Sequence, residues 1–323
     1  MELSVFFAGT AGSVPTARRG LPAVLVTRGG ERLLFDCGEG TQRQLLRSVG
    51  LADLDAIFVT HFHADHWLGL PGMLKTFDLR GRERPLAVHG PPGLVRVLGT
   101  VKGVFGRLGY ELDIVELEPA EAVGGDGYVV APFPVAHRVR AYGYAIVEEP
   151  RPGAFDPAEA ARLGVAPGPD FGRLQRGETV GGVAPEQVMG AERPGRKIVI
   201  SGDTAPCEAV AVAAHQADLL VHEATFTETE AERAGETGHS TAGQAAALAR
   251  DAEVRLLGLT HLSTRYGGAE IRDEARAVFP DAFVARDFDT VEIPYAERGA
   301  PAHVRWDERQ RREAPAEPAA PPA

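Results

Sequence analysis

Short apolar runs separated by turn residues dominate the first half of the chain. SVFFAG (4–9), AVLVT (23–27) and RLLFDCG (32–38) are rich in the β-branched and aromatic residues of strands. Thr41 and Gln44 have capping-box spacing ahead of LLRSV, which predicts a helix starting near Gln42. DAIFVT (55–60) reads as a buried strand that ends directly on His61. The second half repeats the device: KIVISGD (197–203) ends on Asp203, DLLVHE (218–223) on Glu223 and RLLGLTH (255–261) on His261. Between the last two, TAGQAAALARDA (241–252) predicts a small-residue helix with Ser240 as its cap. Folds of the α/β class place their sites just past the ends of buried strands. Four such ends predict one composite site fed from both halves.

Two segments break the pattern. Residues 148–195 are rich in Pro and Gly and carry little periodicity beyond a short helix near 156–163, so they read as an insertion protruding from a core spanning 1–299. Residues 300–323, rich in Pro, Ala, Glu and Arg, are expected to form a disordered tail.

Composition narrows the class. A chain of 323 residues with 44% hydrophobic and 24% charged residues is an ordinary globular one, long enough to bury a large core without staples. Two cysteines, Cys37 and Cys207, make no disulfide framework. No apolar run approaches the roughly 18 residues that cross a bilayer. The opening MELSVFFAGT lacks a basic leader region and reads as a strand, so a cytoplasmic location without membrane partners is expected. The net charge of -11 argues against indiscriminate nucleic-acid binding but leaves room for a local basic groove.

The strongest chemical signal is T-H-F-H-A-D-H, which supplies His61, His63, Asp65 and His66. Imidazole and carboxylate suit Zn²⁺, with Mn²⁺ as the alternative. Four such groups within six residues cannot all reach one ion through a tight turn. They can serve two, with His61 and His63 facing one metal and Asp65 and His66 the other.

HxHxDH after a strand resembles the metallo-β-lactamase superfamily, and later motifs resemble ribonuclease Z, the tRNA 3′-processing endonucleases. FAGTAGSVPT, LLFDCGEGTQRQLL, THFHADHWLGLPGML, VHGPPG, SGDT, HEAT, HST and THLSTRY stand in that family's order, up to about residue 296. The resemblance implies a four-layer αββα sandwich with a protruding flexible arm at 148–195. It implies that His61, His63 and His137 bind one Zn²⁺, that Asp65, His66 and His261 bind a second, and that Asp203 bridges both. His239 (HST) then matches the general acid for the leaving 3′-oxygen, Glu223 (HEAT) orients it, and Asp65 accepts a proton from the nucleophilic water. The implied reaction is metal-dependent in-line hydrolysis of precursor tRNA, leaving a 3′-hydroxyl on tRNA and a 5′-phosphate on the trailer. Zn²⁺ can bring bound water to a pKa of about 7.

Partners implied are precursor tRNA and a second subunit in a homodimer whose arm holds the tRNA that the other subunit cuts; DNA is not expected. Within the arm, Arg173, Arg176 and Phe171 are candidate tRNA contacts, although 148–195 carries five Arg against eight carboxylates. Many relatives have a PxKxRN loop seating the acceptor end. This chain keeps Pro15 and Arg19, the latter a further candidate contact, but has Ala17 for Lys and Gly20 for Asn, which leaves the register of the cut open. Arg80, Arg82 and Arg84 form another candidate phosphate-facing cluster. The competing readings are a hydrolase of a small phosphodiester, thioester or sulfate ester on the same fold, and a non-catalytic RNA-binding protein.

Overall fold

The computed structural model describes residues 1–311 in full and the backbone of 312–313, apart from Ala52 and Ala120. The strands come in chain order as two blocks. First are β1 (Leu3–Gly9), β2 (Ala23–Arg28), β3 (Glu31–Phe35), β4 (Ala56–Phe58), β5 (Leu86–Gly90) and β6 (Leu112–Glu116). Then come β7 (Val123–Gly125), β8 (Tyr128–Pro134), β9 (Tyr142–Glu148), β10 (Lys197–Ile200), β11 (Leu219–Glu223), β12 (Leu257–Thr260) and β13 (Ala282–Val284). Finally β14 (Thr290–Glu292) and β15 (Ala302–Val304) return to the first block. The sheets run β15-β14-β1-β2-β3-β4-β5-β6 and β13-β12-β11-β10-β9-β8-β7.

Period-two alternation sorts side chains between layers. Val5 and Phe7 enter the core between the sheets, whereas Phe6 and Ala8 face outward under helices. Ile198 and Ile200 point inward and Val199 outward. The outer face of the first sheet is covered by α1 (Thr41–Arg47), α2 (Ala64–Trp67), α3 (Leu70–Leu79) and α4 (Leu94–Phe105), through Leu45, Met73, Phe77 and Leu98. After α5 (Pro157–Arg162) and α6 (Pro169–Gln175) in the insertion, α7 (Glu208–Ala214), α8 (Ala231–Thr237), α9 (Ala242–Asp251) and α10 (Gly268–Val278) follow. Val210, Ala246 and Ile271 of α7, α9 and α10 cover the second sheet. The result is the expected αββα sandwich. Strands β10 to β13 are mutually parallel, as are β3 to β6, so their C-terminal ends share one edge of the sandwich.

Three local expectations are corrected. Gly40, in the left-handed region at φ 87°, precedes α1, and no capping box forms: Thr41 donates to Gly38 O (2.8 Å) and Gln44 reaches Ala8 O (3.0 Å) and Asp287. Helix α9 is capped by Thr241 with Gln244, while Ser240 donates to Thr204 O at 2.7 Å. The stretch placed in a disordered tail from 300 contains β15, antiparallel to β14, and α11 (Trp306–Glu313). Val304 is buried, the His303 ring stacks on Phe283 at 4.0 Å, and Trp306 packs edge-on against Phe288. An edge strand of three residues leaves too little alternation to show through Pro- and Ala-rich surroundings. Residues 314–323 of that stretch lie outside the described residues.

The 148–195 insertion leaves the second sheet between β9 and β10 as a folded excursion with its own small core of Ala160, Val165, Leu174, Val180, Val183 and Val188. Asp156 caps α5, accepting from Ala158 N and Glu159 N. At the root, Glu148 lies between Arg28 (2.8 Å) and Arg196 (2.7 Å), all three buried. Tyr295 lies between the guanidinium groups of Arg151 and Arg196, 3.5 and 4.1 Å from its ring centre.

Candidate metal centre

The site assembles where the parallel strands of both sheets end. His61 follows β4, His63 opens the α2 turn that carries Asp65 and His66, Asp203 follows β10 and His261 follows β12. His137 arrives from the loop after β8, so the structure brings together every residue of the proposed ligand set. Two groups of donor atoms, His61–His63–His137–Asp203 and Asp65–His66–His261, each lie within 4.8 Å of one another. Asp203 Oδ2 sits 3.3 Å from both His66 Nε2 and His261 Nε2 and 3.8 Å from His61 Nε2, between the two groups.

Surrounding hydrogen bonds fix which ring nitrogen faces inward. His66 Nδ1 donates to Asp36 (2.7 Å), His137 Nδ1 to Gly238 O (2.8 Å) and His261 Nδ1 to the Thr225 hydroxyl (2.8 Å). Thr60 gives its own proton to Asp36 and can therefore accept from His61 Nδ1 at 3.0 Å. With Nδ1 protonated, each of these four rings in its neutral form presents a bare Nε2 to the centre. His63 faces the same space through Nδ1, 2.9 Å from His61 Nε2 and 3.2 Å from His137 Nε2. His66 Nε2 is buried without a hydrogen-bond partner. Converging lone pairs and an orphaned buried nitrogen are costly without a cation. The donor set fits two borderline divalent ions.

The charges agree. Burial alone would raise the carboxyl pKa of Asp203, yet the rings of His261 and His66 hold it well below the carboxylate range. Burial pushes the His61 imidazole down, with His66 adding to the effect. Two residues of the shell, Asp36 (φ 59°) and His261 (φ 57°), hold left-handed backbone, a strain tolerated where packing over-determines the conformation.

Beside the ligands, His239 Nδ1 donates to Glu223 Oε1 at 2.7 Å. Burial opposes protonation of this ring, but the hydrogen bond and charge of Glu223, aided by Asp203, raise its pKa. Glu223 also accepts from Thr204 N (2.8 Å) and the Thr225 hydroxyl (2.6 Å), so one carboxylate holds both the His239 ring and, through Thr225, His261. His222, the preceding residue, points to the other side of β11 and donates from Nδ1 to Glu223 O. Sequence reasoning missed Asp36, Thr60 and Thr225. Asp36 ends β3 just as His61, Asp203 and His261 follow their strands, and that position was the available signal.

Several candidate contacts have other partners. Arg19 turns inward and donates to Thr10 Oγ1 (2.6 Å) and Ala285 O (2.7 Å), so it anchors its loop. Arg82 is buried and donates to Leu54 O and Pro85 O, which removes it from any phosphate-facing cluster; Arg84 pairs with Asp55. Phe171 packs on Phe155 inside the arm, ring centres 4.9 Å apart. Arg173 and Arg176 are exposed but already face Glu178, at 2.9 and 3.6 Å.

Fold and donor set place the chain among metallohydrolases with the metallo-β-lactamase architecture, and the family model of that superfamily matches residues 19–217. Narrower likeness comes from full-length relatives. A protein named ribonuclease Z of Methanosarcina acetivorans is 48% identical over 301 residues, covering 91% of this chain and 99% of its own. A ribonuclease Z of Myxococcus xanthus is 46% identical over 301 residues, covering 90% of this chain and 98% of its own. The crystal structure of the short form of human tRNase Z superposes with a TM-score of 0.67 at 29% identity, covering 90% of this chain and 99% of that one. The chain belongs to the ribonuclease Z family, endoribonucleases of tRNA 3′ processing.

Proposed function

We propose that the chain removes the 3′ trailer from precursor tRNA with two Zn²⁺ ions per subunit, Mn²⁺ being the alternative ion. The product ends would be a 3′-hydroxyl on tRNA and a 5′-phosphate on the trailer. The observation that carries this reading is the pair of donor groups meeting at Asp203 Oδ2, with His239 beside them. His61, His63 and His137 would hold one ion, Asp65, His66 and His261 the other, and Asp203 both. When bound, the ions supply activated water and positive charge for the phosphate oxygens. Glu223 fixes the His239 ring so that Nε2 carries the proton for the leaving 3′-oxygen. Asp65, which accepts from the backbone N–H of Ser13 at 2.9 Å, would take the proton of the attacking water.

The arm grips tRNA in this reading, with Arg173 and Arg176 exchanging Glu178 for phosphates. It leaves from the start of β10, whereas Asp203 follows that strand's other end, roughly 20 Å along the chain. That separation supports a homodimer in which one subunit's arm serves the other's metal centre. A cytoplasmic location accords with the substrate; among the described residues no helix is long and apolar enough to cross a membrane.

The test is incubation of a 5′-labelled precursor tRNA with zinc, with manganese or with a chelator, the cut mapped to the nucleotide. A single metal-dependent cut beside the discriminator base is expected. A cut beyond an encoded CCA would tie the altered 15–20 loop to a shifted register. No cut by protein carrying two metals would favour the small-ester hydrolase.

A further inference from the structure

The 16–20 loop, α10, the segment after β13 and Arg305 after β15 enclose an open cavity of about 850 Å³. Six arginines line it (Arg18, Arg19, Arg272, Arg276, Arg286 and Arg305) against two carboxylates. Arg272 pairs with Asp273 and Arg305 with Asp307 and Glu308, while Arg19 and Arg276 donate to the backbone carbonyls of Ala285 and Ala282, so the positive charge left open is local in a chain of net charge -11. One of the carboxylates, Asp287, is engaged with Gly20 N, Thr10 Oγ1 and Gln44 Nε2. Arg18 and Arg286 are exposed and make no ion pair among the described residues. A second cavity of about 750 Å³ shares Arg18, Arg19 and Asp287 and adds Arg43, Arg47 and Glu39.

The loop that carries Arg18 and Arg19 is tied to the metal centre at its other end. Ser13 N donates to Asp65 Oδ2, and Gly12 N to Leu262 O next to His261. Arg18 follows Ser13 by five residues, so its backbone lies within roughly 18 Å of that contact. His239, which serves the oxygen remaining on tRNA, rests against His137, Phe226 and His261 and makes no hydrogen bond or ring contact with the arginines of the cavity among the described residues. We propose that the arginine-lined cavity is a binding site for RNA phosphates, and that its occupant is the single-stranded trailer downstream of the cut. Guanidinium groups spaced along an open groove suit a flexible phosphate backbone and carry no base preference. This inference rests on the tRNA-processing reading.

The test uses metal-loaded full-length protein and the double variant Arg272→Gln/Arg286→Gln. Precursors would carry trailers of one or about twelve nucleotides, and a labelled 5′-phosphorylated RNA of about twelve nucleotides would report binding directly. The variant should bind the free RNA roughly tenfold more weakly, with a salt slope lower by about one to two. Its KM for the long-trailer precursor should rise similarly, while the one-nucleotide precursor is cut as by wild type. Equal losses on the short precursor or on mature tRNA would assign the cavity to the acceptor stem and overturn the proposal. Unchanged binding of the free RNA would also overturn it, as would cleavage by wild type that is indifferent to trailer length. Absence of cleavage by wild type would instead fail the tRNA-processing reading, and the binding arm would still decide the cavity. Should the Gln variant fold poorly, Arg272→Ala/Arg286→Lys, which halves the charge removed, is expected to lose about half of the salt-slope change.

Discussion

Asp36 ends β3 and touches no site-facing nitrogen, yet it accepts from His66 Nδ1, Thr60 N and the Thr60 hydroxyl. Removing its charge should weaken the second-ion group without emptying the fold. Asp36→Asn is expected to lower metal affinity about 10–100-fold, measured by competition with a chromogenic chelator. His239 is different, because Glu223 engages its Nδ1 at 2.7 Å, although the ring also shares a third donor group with Asp203 and His261. His239→Ala should slow cleavage about 10²–10⁴-fold at unchanged metal content, read by single-turnover kinetics and elemental analysis. Full activity in that variant would remove the ring from the chemistry. The motif residues themselves were legible, since their types and strand-end positions point to metal chemistry. Their hydrogen-bond partners were not, because an Asp or Thr at a strand end has many uses until its neighbour across the sheet is known.

At the scale of elements, the α2 turn bearing Asp65 and His66 is pressed onto the loop after β3. Cys37 N donates to His66 O at 2.7 Å and Gly69 N to Cys37 O at 2.9 Å. A Cβ on Gly38 would lie 2.3 Å from Asp65 O, backbone that cannot rotate away. Gly38→Ala is therefore expected to displace both residues, lowering the metal content and costing about 1–3 kcal/mol of stability by denaturant titration. The arm's root makes a second element-scale prediction. Burial pushes the Glu148 carboxyl pKa up, but its bonds and charge contacts with Arg196 and Arg28 leave it below the usual value. A depressed carboxyl adds stability above its unfolded pKa of about 4.5 and loses it as pH falls through the lower folded value. Glu148→Gln, which leaves two buried guanidinium groups without their anion, should cost about 3–5 kcal/mol at neutral pH. The cost should shrink below about pH 4.5. A pH-independent deficit in urea titrations would show that packing alone is at stake.

At the scale of the molecule, both sheets contribute ligands to one centre, so metal couples the halves. His61, His63, Asp65 and His66 come from the first sheet's connections, and His137, Asp203 and His261 from the second's. Ions that bind only this assembled arrangement stabilise it by about 2.7 kcal/mol at a hundredfold excess over Kd. Chelation should thus lower Tm by roughly 5 °C or more, reversed by added Zn²⁺ or Mn²⁺. A Tm indifferent to chelator would mean that the halves hold together without the ions.

The sequence by itself determined the α/β class, the strand ends that carry the chemistry and the HxHxDH turn, because burial imposes a period of two and metal ligands cluster by type; the two-sheet sandwich was implied by the resemblance of the motifs. It could not place β15, whose three residues pair only because β14 lies beside them. Nor could it show that Arg19 and Arg82 turn inward, or that Arg18, Arg272 and Arg286 gather around one cavity. Residues 18, 272 and 286 meet only when the returning β14 brings the chain's last third against its first loop. Pattern and residue type are local properties of a chain; convergence of distant charges is a property of its packing.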